Sequence, residues 1–160
     1  MKTILLSLLF AMPIFAQQGF RGEKGTIVWE RTFPATNTDI GAMLALYPNI
    51  KIASASGGIY KGTAEDIKTT GGSLLLKNPL KFDFTINVTA DSYVVKVTGV
   101  KILERYGPLQ LRIIPTGCEK YFMYNNKIKA DQRTKSDLAY METSLSSLFV
   151  PVTGEPLTSK

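Results

Sequence analysis

The chain contains no histidine. That removes the commonest general base, the usual catalytic triads and the imidazole ligand of most transition-metal sites. It has one cysteine, Cys118, so no internal disulfide can form. With neither histidines nor a second thiol, zinc and iron–sulfur sites lack their ordinary ligands. The expectation is a protein without metal or organic cofactor. Gly57-Gly58 and Gly71-Gly72 are not phosphate loops, because neither has the glycine spacing, lysine and following helix that such a site needs. Paired carboxylates are scarce as well. Glu65-Asp66 are sequence neighbours and would point to opposite faces of a strand, while Glu30, Glu104, Glu119 and Glu142 are isolated and read as surface charges.

Only one long apolar run is present, from Thr3 to Phe15, after Met1-Lys2 and before Ala16. A positive charge, a short apolar stretch and a small residue before Gln17-Gln18 are the layout of a secretory signal peptide. The run falls short of the roughly 20 apolar residues a spanning helix needs. The sequence therefore predicts a leader over residues 1–16, cleaved near Ala16, and a periplasmic or secreted protein with no stable membrane insertion afterwards.

The formal charge is +6, and the charged residues make up 20% of the chain against 44% hydrophobic, the balance of a globular domain. The lysines are scattered singly, and Asp131 and Asp137 interrupt the densest basic stretch, Lys127 to Lys135. A solvated surface explains this better than a nucleic-acid footprint, and export makes nucleic acid a poor partner.

After the leader, residues 17–25 are polar and glycine-containing and read as a flexible N-terminal arm. Thr26–Phe33 is rich in β-formers, with Ile27, Trp29, Arg31 and Phe33 on one face. Thr36 is placed to cap a helix carrying Ile40, Met43, Leu44 and Tyr47 at helical spacing, which Pro48 ends. Residues 50–55 and 59–64 suggest strands about the Gly57-Gly58 turn. The clearest strand is 82–89, where Phe82, Phe84, Ile86 and Val88 alternate with Asp83, Thr85, Asn87 and Thr89. Residues 93–103, dense in valine, return as its hairpin partner. Residues 105–116 are less regular, 120–124 are aromatic-rich, and 125–133 read as a loop. Thr134 to Asp137 signals a helix start, and Leu138, Met141, Leu145, Leu148 and Phe149 then line one face until Pro151. Residues 26–150 are thus expected to form a single α+β domain, an antiparallel sheet with two helices packed on one face, followed by a tail over 151–160.

This pattern resembles the domain of unknown function 4468, a family of exported bacterial proteins with a TATA-box-binding-protein-like (TBP-like) fold. The likeness is carried by Thr26–Phe33 before a capped helix, by the glycine-bracketed segment Gly57 to Gly62, by the hairpin 82–88 and 93–103, and by the closing helix 136–149. It implies the TBP-like arrangement and supplies no catalytic residues. The fold name does not imply DNA binding.

Candidate chemistry is thin. A serine among 54–56 beside Lys61 is formally a serine–lysine pair, but serines next to a glycine turn are ordinary turn residues. Asn87-Val88-Thr89 matches a glycosylation sequon that chance readily produces. Tyr106, Tyr121, Phe122 and Tyr124 are the candidate lining of a groove for a peptide, a glycan or an apolar ligand, weighed against a place in the core. The reading is an exported non-enzymatic domain that binds another envelope or extracellular macromolecule through a sheet edge or an aromatic groove. The alternative is a carrier of a small apolar ligand between sheet and helices. A histidine-free hydrolase is the least favoured.

Overall fold

The structure, a computed structural model, describes residues 19–35 and 38–150. The leader, the Thr36 cap and the 151–160 tail lie outside the described residues.

Among the described residues, nine strands and three helices run in the order β1 (Gly19–Glu23), β2 (Thr26–Pro34), α1 (Ile40–Ala45), β3 (Ile50–Ser56), β4 (Ile59–Ile67), β5 (Leu80–Val88), β6 (Ser92–Tyr106), β7 (Arg112–Gly117), α2 (Glu119–Phe122), β8 (Met123–Tyr124), β9 (Lys127–Ile128) and α3 (Gln132–Phe149). A 3-10 turn, Leu74–Lys77, joins β4 to β5. The main sheet is antiparallel in the order β1-β2-β6-β5-β4-β3, and β7 pairs β6 off this path.

The alternation of β5 sets the sheet's two faces. Phe82, Phe84 and Ile86 are buried, whereas Asp83 and Asn87 are exposed. Cross-strand pairing carries the buried face into β6 (Phe84 opposite Val97, Ile86 opposite Val95) and on into β2 (Trp29 opposite Val97, Phe33 opposite Tyr93). Ile40, Met43 and Leu44 of α1 and Leu138, Met141, Leu145 and Phe149 of α3 close over that face in one hydrophobic cluster. The α+β arrangement with two principal helices on one sheet face is therefore present. Gly62 allows β4 its close approach to its neighbours, since a Cβ there would lie 2.4 Å from the Lys51 carbonyl and 2.6 Å from the Phe84 ring.

Several expectations need correction. Residues 19–23 are a strand, not a flexible arm. Lys24 and Gly25, with φ of 50° and 80°, form the two-residue turn that folds β1 back on β2, pairing Glu23 with Thr26 and Phe20 with Trp29. Asp39 caps α1, its carboxylate accepting from Ala42 N at 3.0 Å. Asp131 caps α3 in the same way, accepting from Thr134 N at 2.9 Å and Thr134 Oγ1 at 2.8 Å, so that helix begins three residues before the Thr134 signal would put its first turn. The irregular stretch 105–116 contains β7. Pro115 is tolerated because β7 pairs on one side only, leaving no ladder bond for a proline N–H to make on the other. Lys120 to Tyr124 is a single helical turn followed by a two-residue strand, and the loop 125–133 contains β9.

Candidate functional site

The carboxylates read as surface charges are tied into the fold. Glu30 meets Arg21 at 3.1 Å. Glu119 Oε1 accepts from Ile27 N at 3.0 Å, holding the start of β2. Glu142 lies 3.8 Å from Arg31, whose guanidinium also donates to Ser146 Oγ at 2.7 Å and stacks over Phe33. Arg31 is the one charged residue on the inward face of β2, and this is how that charge is satisfied against α3. Glu65 pairs with Lys81 at 3.0 Å, while Asp66 sits at φ 58° where β4 slips register against β5.

Glu104 gathers the most chemistry. Its two carboxylate oxygens accept from Tyr106 OH at 2.5 Å and from Tyr121 OH. These hydroxyls, with Thr116 and the nearby Lys120 charge, hold the Glu104 pKa below the usual carboxylate value. The same bonds push the Tyr121 phenol up to about 12 and raise that of Tyr106. The set spans β6, β7 and α2, so it fastens the far end of β6 to the body of the domain.

The four candidate aromatics fall in three places. Phe122 is 2% exposed and belongs to the core, forming with Tyr121 part of the wall of a depression of about 250 Å³ beside the start of α3. Tyr124, 71% exposed, borders a shallow hollow along β8 and β9. Tyr106 lies at the β6–β7 turn, with Leu109 and Leu111. Tyr106 and Tyr121 meet through Glu104, and the set does not line a common groove.

Ser54 stands opposite Lys61 across β3 and β4, with both residues exposed. A nucleophilic serine needs a lysine desolvated enough to act as its base, and this pair lies in solvent. Asn87 of the sequon is exposed. Cys118 is fully buried, and burial followed by the adjacent Glu119 charge pushes its thiol pKa up, so it stays protonated and inert. Among the described residues no group of three or more Cys, Asp or Glu side chains is placed to hold a metal ion. Nor is any helix there long and apolar enough to cross a membrane.

The space between sheet and helices is filled by rings. Trp29 stacks on Phe149 with centroids 6.3 Å apart, Phe84 meets Phe149 at 5.6 Å, and Phe33 stacks on Tyr93 at 5.3 Å. Tyr93 OH closes this layer by donating to the Phe149 carbonyl at 2.5 Å, and burial pushes its phenol up to about 12.

Two surfaces are located only by the fold. The first is the outer edge of β3. Of the two ends of the sheet, β1 lies beside the β8–β9 hairpin, with Gly22 close to Met123 and Asn126. No described strand pairs the outer edge of β3, and every residue from Lys51 to Ser56 is exposed. The second is the tip of the β6–β7 hairpin, signalled by the alternation of Leu109, Leu111 and Ile113 after Gly107-Pro108.

A seven-stranded antiparallel sheet with its helices gathered on one face defines the class of this protein as α+β with a TBP-like fold. It superposes on the crystal structure of a TBP-like protein from Parabacteroides distasonis with a TM-score of 0.52 at 11% sequence identity, covering 79% of this chain and 92% of that one. A DUF4468 family protein from Bacteroides ovatus aligns with a TM-score of 0.46 at 12% identity, over 83% of this chain and 92% of that one. At 11% identity the likeness to the Parabacteroides distasonis protein is one of fold. No protein-family profile matches the sequence, and no curated protein matches it.

Proposed function

We propose that this is an exported, non-enzymatic binding domain that takes an extended segment of another envelope or extracellular macromolecule along β3. The open edge of β3 carries the reading. An unpaired edge presents a row of N–H and C=O groups that an incoming strand can complete, the mode known as β-augmentation. The strand includes Lys51 and slips register between Ile52 and Ser54, features that discourage indiscriminate pairing while leaving the backbone available. Export is supported by the apolar run at residues 3–15. The non-enzymatic reading is supported by the lack of histidine and by carboxylates engaged in structural pairs. The ring-filled interior favours an outer surface over an enclosed ligand.

Amide hydrogen exchange, followed with and without an envelope fraction, tests this. Residues 50–56 gain protection on binding, and Ile52→Lys, which adds a second lysine to the edge, abolishes capture with an unchanged melting temperature. Protection confined to other segments, or full capture by Ile52→Lys, would refute the assignment.

A further inference from the structure

The last pair joining β5 to β6 is Leu80 with Ile102. Beyond it, Glu104–Tyr106 pairs only with Arg112–Ile114, so the two strands leave the sheet as a projecting ribbon. Its turn exposes large apolar side chains. Leu109 is 77% and Leu111 82% exposed, with Tyr106 and Ile113 about half exposed behind them. Elsewhere exposed leucines such as Leu46 and Leu74 stand singly, which needs no explanation.

Charge indicates what meets this tip. Arg105 and Arg112 sit one step behind the leucines, on opposite faces of the ribbon, since Arg105 pairs with Ile113 and Arg112 with Tyr106. From Arg105 to Pro115 the chain has no acidic residue. Apolar residues at the end, then a tyrosine and one arginine on each face, follow the polarity gradient of an anionic bilayer surface, where acyl chains lie beneath phosphates. The bond from Tyr121 of α2 to Glu104 ties the ribbon to the body and that from Tyr106 braces it internally, so the tip is held outward at little ordering cost.

We infer that the β6–β7 tip is an interfacial anchor that inserts Leu109 and Leu111 into anionic lipid bilayers while Arg105 and Arg112 pair with the phosphates. The contact is reversible and interfacial and is no membrane span. It goes beyond the edge-strand reading and uses a different surface, so each stands or falls by its own test.

The leader's apolar run partitions into lipid on its own account, so the readout has to be local. Leu109→Cys in the full chain is labelled with an environment-sensitive fluorophore, and buried Cys118 stays unlabelled. The same label on Ser54→Cys serves as reference, and thermal melts confirm that each variant is folded. With vesicles of equal parts phosphatidylcholine and phosphatidylglycerol, the label at position 109 shifts to the blue and the label at 54 does not. Pure phosphatidylcholine gives no shift. In the labelled background, Leu111→Asp weakens partition about tenfold, and Arg105→Gln and Arg112→Gln each weaken it about fivefold. The inference is overturned if the position-109 label does not shift with anionic vesicles, or shifts equally with neutral ones. It is also overturned if the shift needs no lipid and grows with protein concentration, since the tip would then be packing on a second copy.

Discussion

Asp137 shows how far one side chain's role can lie from its apparent one. In the sequence it closes a helix-start signal. In the fold it is 2% exposed, one turn inside α3, accepting from Ser73 N at 2.8 Å and Ser73 Oγ at 2.7 Å. It thereby pins the segment before the Leu74–Lys77 turn onto the helix. Asp137→Ala would leave the Ser73 amide without its acceptor and is expected to cost about 2–3 kcal/mol. Urea denaturation should show a lower midpoint at unchanged slope, and Asp137→Asn, which keeps one acceptor oxygen, should recover part of the loss. An Asp137→Ala midpoint equal to wild type would mean that the contact contributes nothing.

Strands and helices were legible where one face alternates strongly with the other. The β5 pattern identified its own buried face, and α3 was found from its apolar stripe. β1 was not found, because its stability comes from pairing with β2 and from Phe20 against Trp29, while its own composition is polar and glycine-rich. β7 was hidden by Pro115, which ordinarily argues against a strand and is harmless at an edge. The β6–β7 ribbon depends on Glu104, and here pH supplies a test. The Glu104 pKa is lowered in the folded protein, so its stabilisation is complete above the ordinary glutamate value of about 4.3 and disappears as pH falls through the folded value. At neutral pH, Glu104→Gln should cost about 0.5–1 kcal/mol, solvent screening keeping it modest. The gap from wild type should close in acid, and a gap independent of pH would mean that the charge plays no part. Tyr121 has the opposite sign: its pKa is raised to about 12, so its contribution is complete below the ordinary tyrosine range and lost as pH rises through that value.

The domain as a whole rests on a single layer of apolar contacts between sheet and helices. Ile86 lies at its centre with no exposure, and Asn87, its neighbour in sequence, faces solvent. Ile86→Asp buries an unpaired carboxylate and should unfold the domain, a cost above about 4 kcal/mol. Asn87→Asp should change stability by less than about 0.5 kcal/mol. Thermal melts of the two variants settle the orientation of β5, and equal effects would contradict it.

Composition and periodicity were enough to exclude histidine chemistry and an internal disulfide, and to assign the α+β class with the buried faces of its principal strands and helices. These are local properties: which residue types are present, and which recur every two or every three to four positions. The open edge of β3, the projecting ribbon, the partners of Glu104 and the seat of Asp137 came from the three-dimensional arrangement. Each depends on which segments meet across long stretches of chain, as when Ser73 reaches Asp137 or β7 returns along β6. Pairings of that kind are selected by the packing of the entire domain and leave little trace in any short run of residues.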